Sequence, residues 1–259
     1  MPEKKTMVIS STEQLLDAKT RRSFLKLMGA GGAVFFLPSV LTSCSDEDDD
    51  PMGPAFGQPS GSGPAVVIDF SRGDTAIIQY AYALEQLEAD FYTRVMAAFS
   101  ASNFSPAERT ILTDVKFHEV IHREAFKAIL GPSNDFTLNT TYGNLNFGDR
   151  TSVLATARTF EDLGVAAYNG AAQYLSAVAN LELAGKIVSV EARHAAAIRD
   201  LIAPKSSSQG DAGTSFAPKA FDDAFRPGKV VPLAQPFIVE VLTPRNAPAT
   251  FVQGPNNNG

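Results

Sequence analysis

Cysteine is almost absent from this chain: Cys44 is the only one in 259 residues. A single cysteine excludes an intrachain disulfide and any cysteine-built metal cluster, a rubredoxin-type electron-transfer site included. Tryptophan is missing altogether, so 18 Phe and the aliphatic residues must fill the core; at 44% hydrophobic residues they are enough for one. Positive charge is short as well. Lys and Arg number 22 against 28 Asp and Glu, a formal net charge of −6, without the basic footprint that nucleic-acid binding requires. The apolar run Leu27 to Leu41 is 15 residues long, short of the roughly 20 that span a bilayer. Histidine is scarce enough that each one carries information: His118, His122 and His194.

That apolar run follows the segment TRRSFLK, Thr20 to Lys26. A charged stretch before a short apolar one is the layout of an export signal. The pair Arg21 and Arg22, with Phe24, Leu25 and Lys26 behind it, resembles the bacterial twin-arginine signal. The run closes on LTSC, Leu41 to Cys44, which resembles the lipobox of bacterial lipoproteins, whose Cys becomes lipid-modified. Acyl chains on Cys44 would anchor the protein to a membrane by burying their CH₂ groups. SDEDDD and a Pro/Gly/Ser-rich stretch follow, the composition of a solvated tether. Residues 1–43 are thus expected to be a signal peptide and 44–69 a disordered tether. The expected partners are the twin-arginine export machinery and a membrane reached through Cys44. The expected location is the cell envelope, at the periplasmic face or the outer surface of the outer membrane.

The folded part reads as helices. From Asp74 to about Ser100, Ile77, Ala81, Leu84, Leu87, Phe91 and Val95 recur at three- and four-residue spacings, with Asp74 placed as an N-cap. Ser105-Pro106-Ala107-Glu108 is a helix start with a capping box, and that helix runs to Leu130 before Gly131-Pro132. Residues 131–149 are polar and aperiodic. A third helix is expected from Thr151 to Ala179 and a fourth from Leu181 to Ile202. Two hairpins joined by one long link predict an all-α four-helix bundle over residues 70–203, whose single crossover resembles that of ferritin-like folds. In the remaining residues 204–259, an irregular extension, a short helix is expected near Ala217 to Phe225 and an extended piece near Phe237 to Leu242.

The hairpins carry matching words. LEQLEADFY, Leu84 to Tyr92, aligns with FEDLGVAAY, Phe160 to Tyr168; HEVIHREAFKAIL, His118 to Leu130, aligns with VEARHAAAIRDLI, Val190 to Ile202. Each half therefore supplies one Glu and one E-x-x-H. Residues three apart share a helix face, so Glu119 and His122 can address one metal, and Glu191 and His194 another. Glu85 and Glu161 lie on the apolar stripes that face the core. Buried carboxylates without partners are costly, and two divalent ions would neutralise four of them and use both imidazoles.

Glu, E-x-x-H, Glu, E-x-x-H across four helices resembles the ferritin-like superfamily, a layout shared by bacterioferritin, rubrerythrin and manganese catalase. The exported, lipobox-bearing form looks like the bacterial group named for its ferritin-like domain. The resemblance implies Glu85 and Glu161 as terminal ligands, Glu119 and Glu191 as bridging carboxylates, and His122 and His194 as nitrogen ligands. It implies two Fe or two Mn ions, with zinc left open by ligand type, and reactions with O₂ or peroxide, of the peroxidase, catalase or oxidase kind. A lipid anchor and a tether fit poorly with a closed storage cage; a homodimer remains open. Glu88, three residues after Glu85, competes as the first-helix ligand, but Gly164 stands opposite it in the repeat. Tyr92 and Tyr168 are either hydrogen-bond partners of the ligands or core aromatics with a polar tip. Phe117 and Phe126 are expected in the core.

Two other readings compete. A non-catalytic envelope protein would keep the bundle for binding or structure. H-E-x-x-H, His118 to His122, is also a zinc-protease pattern, with both His as ligands and Glu119 as base. That reading needs a third ligand; Ala128 stands where the longer motif has its third His, and Glu191 and His194 are left without a role. In the bundle reading His118 is partly exposed or hydrogen-bonded near the site.

Overall fold

The computed structural model describes residues 62–204 and 216–251. The signal, Cys44 and the tether up to residue 61 lie outside them. Asp74–Ala97 form α1, Pro106–Leu130 α2, Arg150–Ala171 α3 and Val178–Ile202 α4. Helix α1 packs mainly against α2, and α3 against α4, so each half is a helical hairpin. The chain is mostly helical, a four-helix bundle. Among the described residues no helix is long and apolar enough to cross a membrane.

Local chemistry sets the helix ends. Ser105 accepts from the Glu108 N–H, and the Glu108 carboxylate accepts from the Ser105 N–H at 2.8 Å, the capping box that the sequence spells. Gly131, at φ 63°, ends α2 in a conformation that a side chain would strain. Asp74 does something other than cap its own helix, where Gly73 holds the N-cap position. Its carboxylate reaches the start of α4 and accepts from the Ser176 N–H at 2.8 Å, the Ala177 N–H at 3.0 Å and Asn180 Nδ2 at 2.8 Å. Burial works to raise the Asp74 carboxyl, but these hydrogen bonds hold it well below the usual carboxylate range. The third helix stops at Ala171 rather than Ala179, and the fourth begins three residues earlier than the apolar pattern suggests.

The flanking segments are more structured than composition implies. Ala65–Asp69, inside the expected tether, form β1, which pairs in parallel with β2, Val241–Arg245, in the register Ala65 to Val241 and Asp69 to Arg245. The short helix of the C-terminal extension is α5, Pro227–Ala234, and not Ala217–Phe225. Pro227 opens it at the first turn, and Val230, Val231 and Ala234 give it a buried apolar face, whereas Phe221 in the earlier stretch is 68% exposed. Val230, Val231, Ala234, Phe237, Ile238 and Leu242 are all buried in the core shared with the bundle. The aperiodic link 131–149 runs along α1: Tyr142 donates to the Leu87 carbonyl at 3.1 Å, and the Leu138 N–H to Gln86 at 3.0 Å. It is joined to the C-terminal segment by Thr141 N–H to the Phe237 carbonyl, Val239 N–H to the Asn139 carbonyl, and two bonds from Asn139 to the buried Glu240 carboxylate.

Before α5 the extension crosses α3, where the Phe225 N–H donates to the Ala166 carbonyl at 2.8 Å. Gly170 allows that approach: a Cβ there would lie 1.9 Å from the Phe225 carbonyl oxygen. Gly170→Ala is therefore expected to lift the extension off α3 and destabilise the fold by about 1–3 kcal/mol, the usual cost of overpacking. Urea denaturation and faster proteolytic cleavage around Phe225 would register it; unchanged stability and cleavage would show that the contact is dispensable.

Candidate metal centre

The repeat read from the sequence becomes a symmetry of the helices. Glu85 and Glu161 are each the twelfth residue of their helix, α1 and α3; Glu119 and Glu191 are each the fourteenth of α2 and α4. All four carboxylates meet at one level, midway along the bundle, and all four are fully buried. His122 and His194, one turn on from Glu119 and Glu191, are buried with them.

The six side chains form two overlapping groups. Glu85, Glu119, His122 and Glu191 offer ligand atoms within 4.8 Å of one another; so do Glu119, Glu161, Glu191 and His194. Glu119 and Glu191 belong to both, and Glu85 and Glu161 to one each. The imidazoles reach across the hairpins. His194 Nδ1 lies 2.8 Å from Glu119 Oε1, and His122 Nδ1 lies 2.9 Å from Glu191 Oε1. Glu85 is 3.5 Å from His122, and Glu161 3.5 Å from His194.

The two tyrosines also cross over. Tyr92 of α1 donates to Glu161 Oε1 on α3, and Tyr168 of α3 donates to Glu85 Oε1 on α1. They are partners of the terminal carboxylates as well as core aromatics. Those two bonds satisfy one oxygen each of Glu161 and Glu85. The other eight candidate ligand atoms make no well-directed hydrogen bond: Glu85 Oε2, Glu161 Oε2, both oxygens of Glu119 and Glu191, and Nδ1 of both histidines. Buried polar atoms are nearly always paired. Eight orphaned atoms converging on one level, six carboxylate oxygens and two imidazole nitrogens, fit a pair of cations in both charge and donor type.

Glu88 belongs to neither group. It is buried beside them in the space that Gly164 leaves: a Cβ at 164 would sit 3.1 Å from Glu88 Oε1 and 3.6 Å from Glu191 Oε2. His118 is also outside both groups, exposed, with Nδ1 2.9 Å from His194 Nε2. A zinc site built on His118 and His122 is thus not what the geometry forms. Phe126 is buried, but Phe117 is 50% exposed with Lys116 Nζ 4.5 Å over its ring. Nine residues separate the two, which puts them half a turn out of phase on α2.

Crowding shifts every group here. Burial works to lower the imidazoles, but Glu119, Glu191 and Glu85 raise His122 to about 12, and Glu161 and Glu119 raise His194 to about 11. Burial raises Glu85 to about 7 and also raises Glu161. It pushes Glu88 and Glu191 well above the carboxylate range, helped by Glu191 in the first case and Glu119 in the second. Glu119 is the exception: burial works to raise it, yet the imidazoles of His122 and His194 bring it down to about 2. Imidazole binds a cation only in its neutral form. Near neutral pH, loading must therefore displace the protons held on His122 and His194, and affinity must fall as pH falls. Mn(II) titrations at about pH 6 and about pH 8, with proton release followed in a pH-stat, are expected to show tighter binding at the higher pH and net proton release; pH-independent binding would contradict this assignment.

A comparison with protein-family models matches residues 73–204, just over half of the chain, to the ferritin-like domain. No curated protein matches the chain. The matched residues run from the turn before α1 to the end of α4, and so enclose all six converging side chains. With fold and matched region in agreement, the chain belongs to the ferritin-like domain family.

Proposed function

We propose that this protein is an exported, lipid-anchored component of the cell envelope that holds a di-iron or di-manganese centre and acts on peroxide or O₂ as an oxidoreductase. The observation that carries the reading is the set of eight buried carboxylate and imidazole atoms that face only one another, without a well-directed hydrogen bond, in two overlapping four-residue groups. Mixed oxygen and nitrogen donors suit Fe and Mn. When bound, two such ions supply adjacent redox-active Lewis acids. Glu119 and Glu191 would span the pair, and Glu85 with His122 and Glu161 with His194 would complete each position. The hydroxyls of Tyr92 and Tyr168 fix the free oxygens of Glu161 and Glu85, so the carboxylates are preoriented. An apolar cleft lined by Ile78, Ala81, Phe126, Tyr168 and Ala184 suits a small uncharged oxidant better than a charged substrate. Export and anchoring rest on Arg21, Arg22 and Cys44 in the sequence.

Metal analysis of the full chain, purified without chelator or metal-binding tag, is expected to give two Fe or Mn per chain, lost in Glu119→Ala and Glu191→Ala and kept in Glu88→Gln. Peroxide or O₂ consumption should follow metal content. Bound metal without turnover would leave a non-catalytic binding protein; one zinc lost with His118→Ala and kept with His194→Ala would overturn the reading for the protease. Separately, Cys44→Ala is expected to move the protein from the membrane fraction to the soluble fraction of the envelope; continued membrane attachment would refute lipid anchoring at that residue.

A further inference from the structure

His118 is the histidine that the repeat does not require, since Val190 holds its place in the second hairpin. Its Nδ1 lies 2.9 Å from His194 Nε2, with the two rings within 10° of parallel. The other nitrogen of His194, Nδ1, faces Glu119 at 2.8 Å and Glu161 at 3.5 Å. An imidazole that turns its Nδ1 lone pair to a cation carries its proton on Nε2. His118 Nδ1 is then the acceptor of that N–H, and the remaining proton of His118 sits on Nε2 of an exposed side chain. His122 also turns Nδ1 to the carboxylates, but no protein group among the described residues bonds its Nε2. The two halves of the centre match in all six candidate ligands; apart from Glu88 standing opposite Gly164, they differ in this contact.

We propose that His118 makes the two metal positions unequal: the position framed by Glu119, Glu161, Glu191 and His194 binds the tighter ion and fills first. The inference rests on the two-metal reading above. His118 is a positioning residue that acts through His194. Its hydrogen bond fixes the tautomer and ring orientation of that ligand and raises its basicity, whereas His122 must find water for the same purpose. Partners of this kind are typically worth about 10–100-fold in metal affinity.

The test is a Co(II) titration of the full chain after stripping with chelator, followed by calorimetry and visible absorption. The expected wild-type isotherm has two steps separated by about 10–100-fold. His118→Ala is expected to weaken the tight step by that factor and leave the weak step in place. His118→Asn, whose Oδ1 can stand where Nδ1 accepts, is expected to restore the separation. Because His118 is exposed, the fold should survive both changes, which far-UV circular dichroism checks. Two equal steps in the wild type, a change confined to the weak step, or no rescue by Asn would overturn the inference while leaving the two-ion centre standing. A chain that binds no Co(II) would overturn both.

Discussion

Four carboxylates at the centre of an otherwise apolar bundle set the terms for the structure around them. Each buried ion without compensation costs several kcal/mol even after relaxation, and here there are four, with Glu88 beside them as a fifth acid. The chain's own resources offset only part of that. Two tyrosine hydroxyls satisfy two oxygens, and two imidazoles bring positive charge within 2.8–2.9 Å of the shared carboxylates. The rest is left to something of higher charge density than a side chain. The same donor atoms that make the centre costly are those that suit a pair of divalent cations, as the proposed function requires.

The internal repeat is kept where ligands are concerned and broken beside them. Glu88 has Gly164 opposite it, and the missing side chain is the space that the fifth carboxylate occupies. His118 has Val190 opposite it, and only one imidazole ligand gains a partner. These departures, both within a turn of a ligand, give each half its own electrostatic surroundings while leaving the shared carboxylates untouched.

The bundle and its six converging side chains were legible because their signals are local. Capping chemistry at Ser105, a stop at Gly131 and E-x-x-H spacing each need only a few residues to be read. What escaped reading depends on distant partners. Asp74 looks like a cap for its own helix, but its carboxylate is bound to the turn that leads into α4, about a hundred residues away in the chain. The strand Ala65–Asp69 sits at the end of a low-complexity stretch, and its partner Val241–Arg245 lies near the other end of the chain. Helix α1 is buried on nearly all sides, so its stripe was too narrow a guide to what surrounds it. Phe117 is exposed for a simpler reason: helical phase, not hydrophobic character, decides which face of α2 a residue takes.

The pairing of β1 with β2 has a consequence for how this molecule comes into being. Its two strands flank the whole bundle in sequence, and the second follows α5, which contributes Val230, Val231 and Ala234 to the core. Contacts of such separation carry a high loop-closure entropy and form late. A nascent chain that has emerged as far as α4 already holds every ligand, yet lacks the apolar cover that makes the interior dry. The stretch that bears the family signature, residues 73–204, and the stretch that completes the apolar core, which includes α5 and β2, are therefore different lengths of chain.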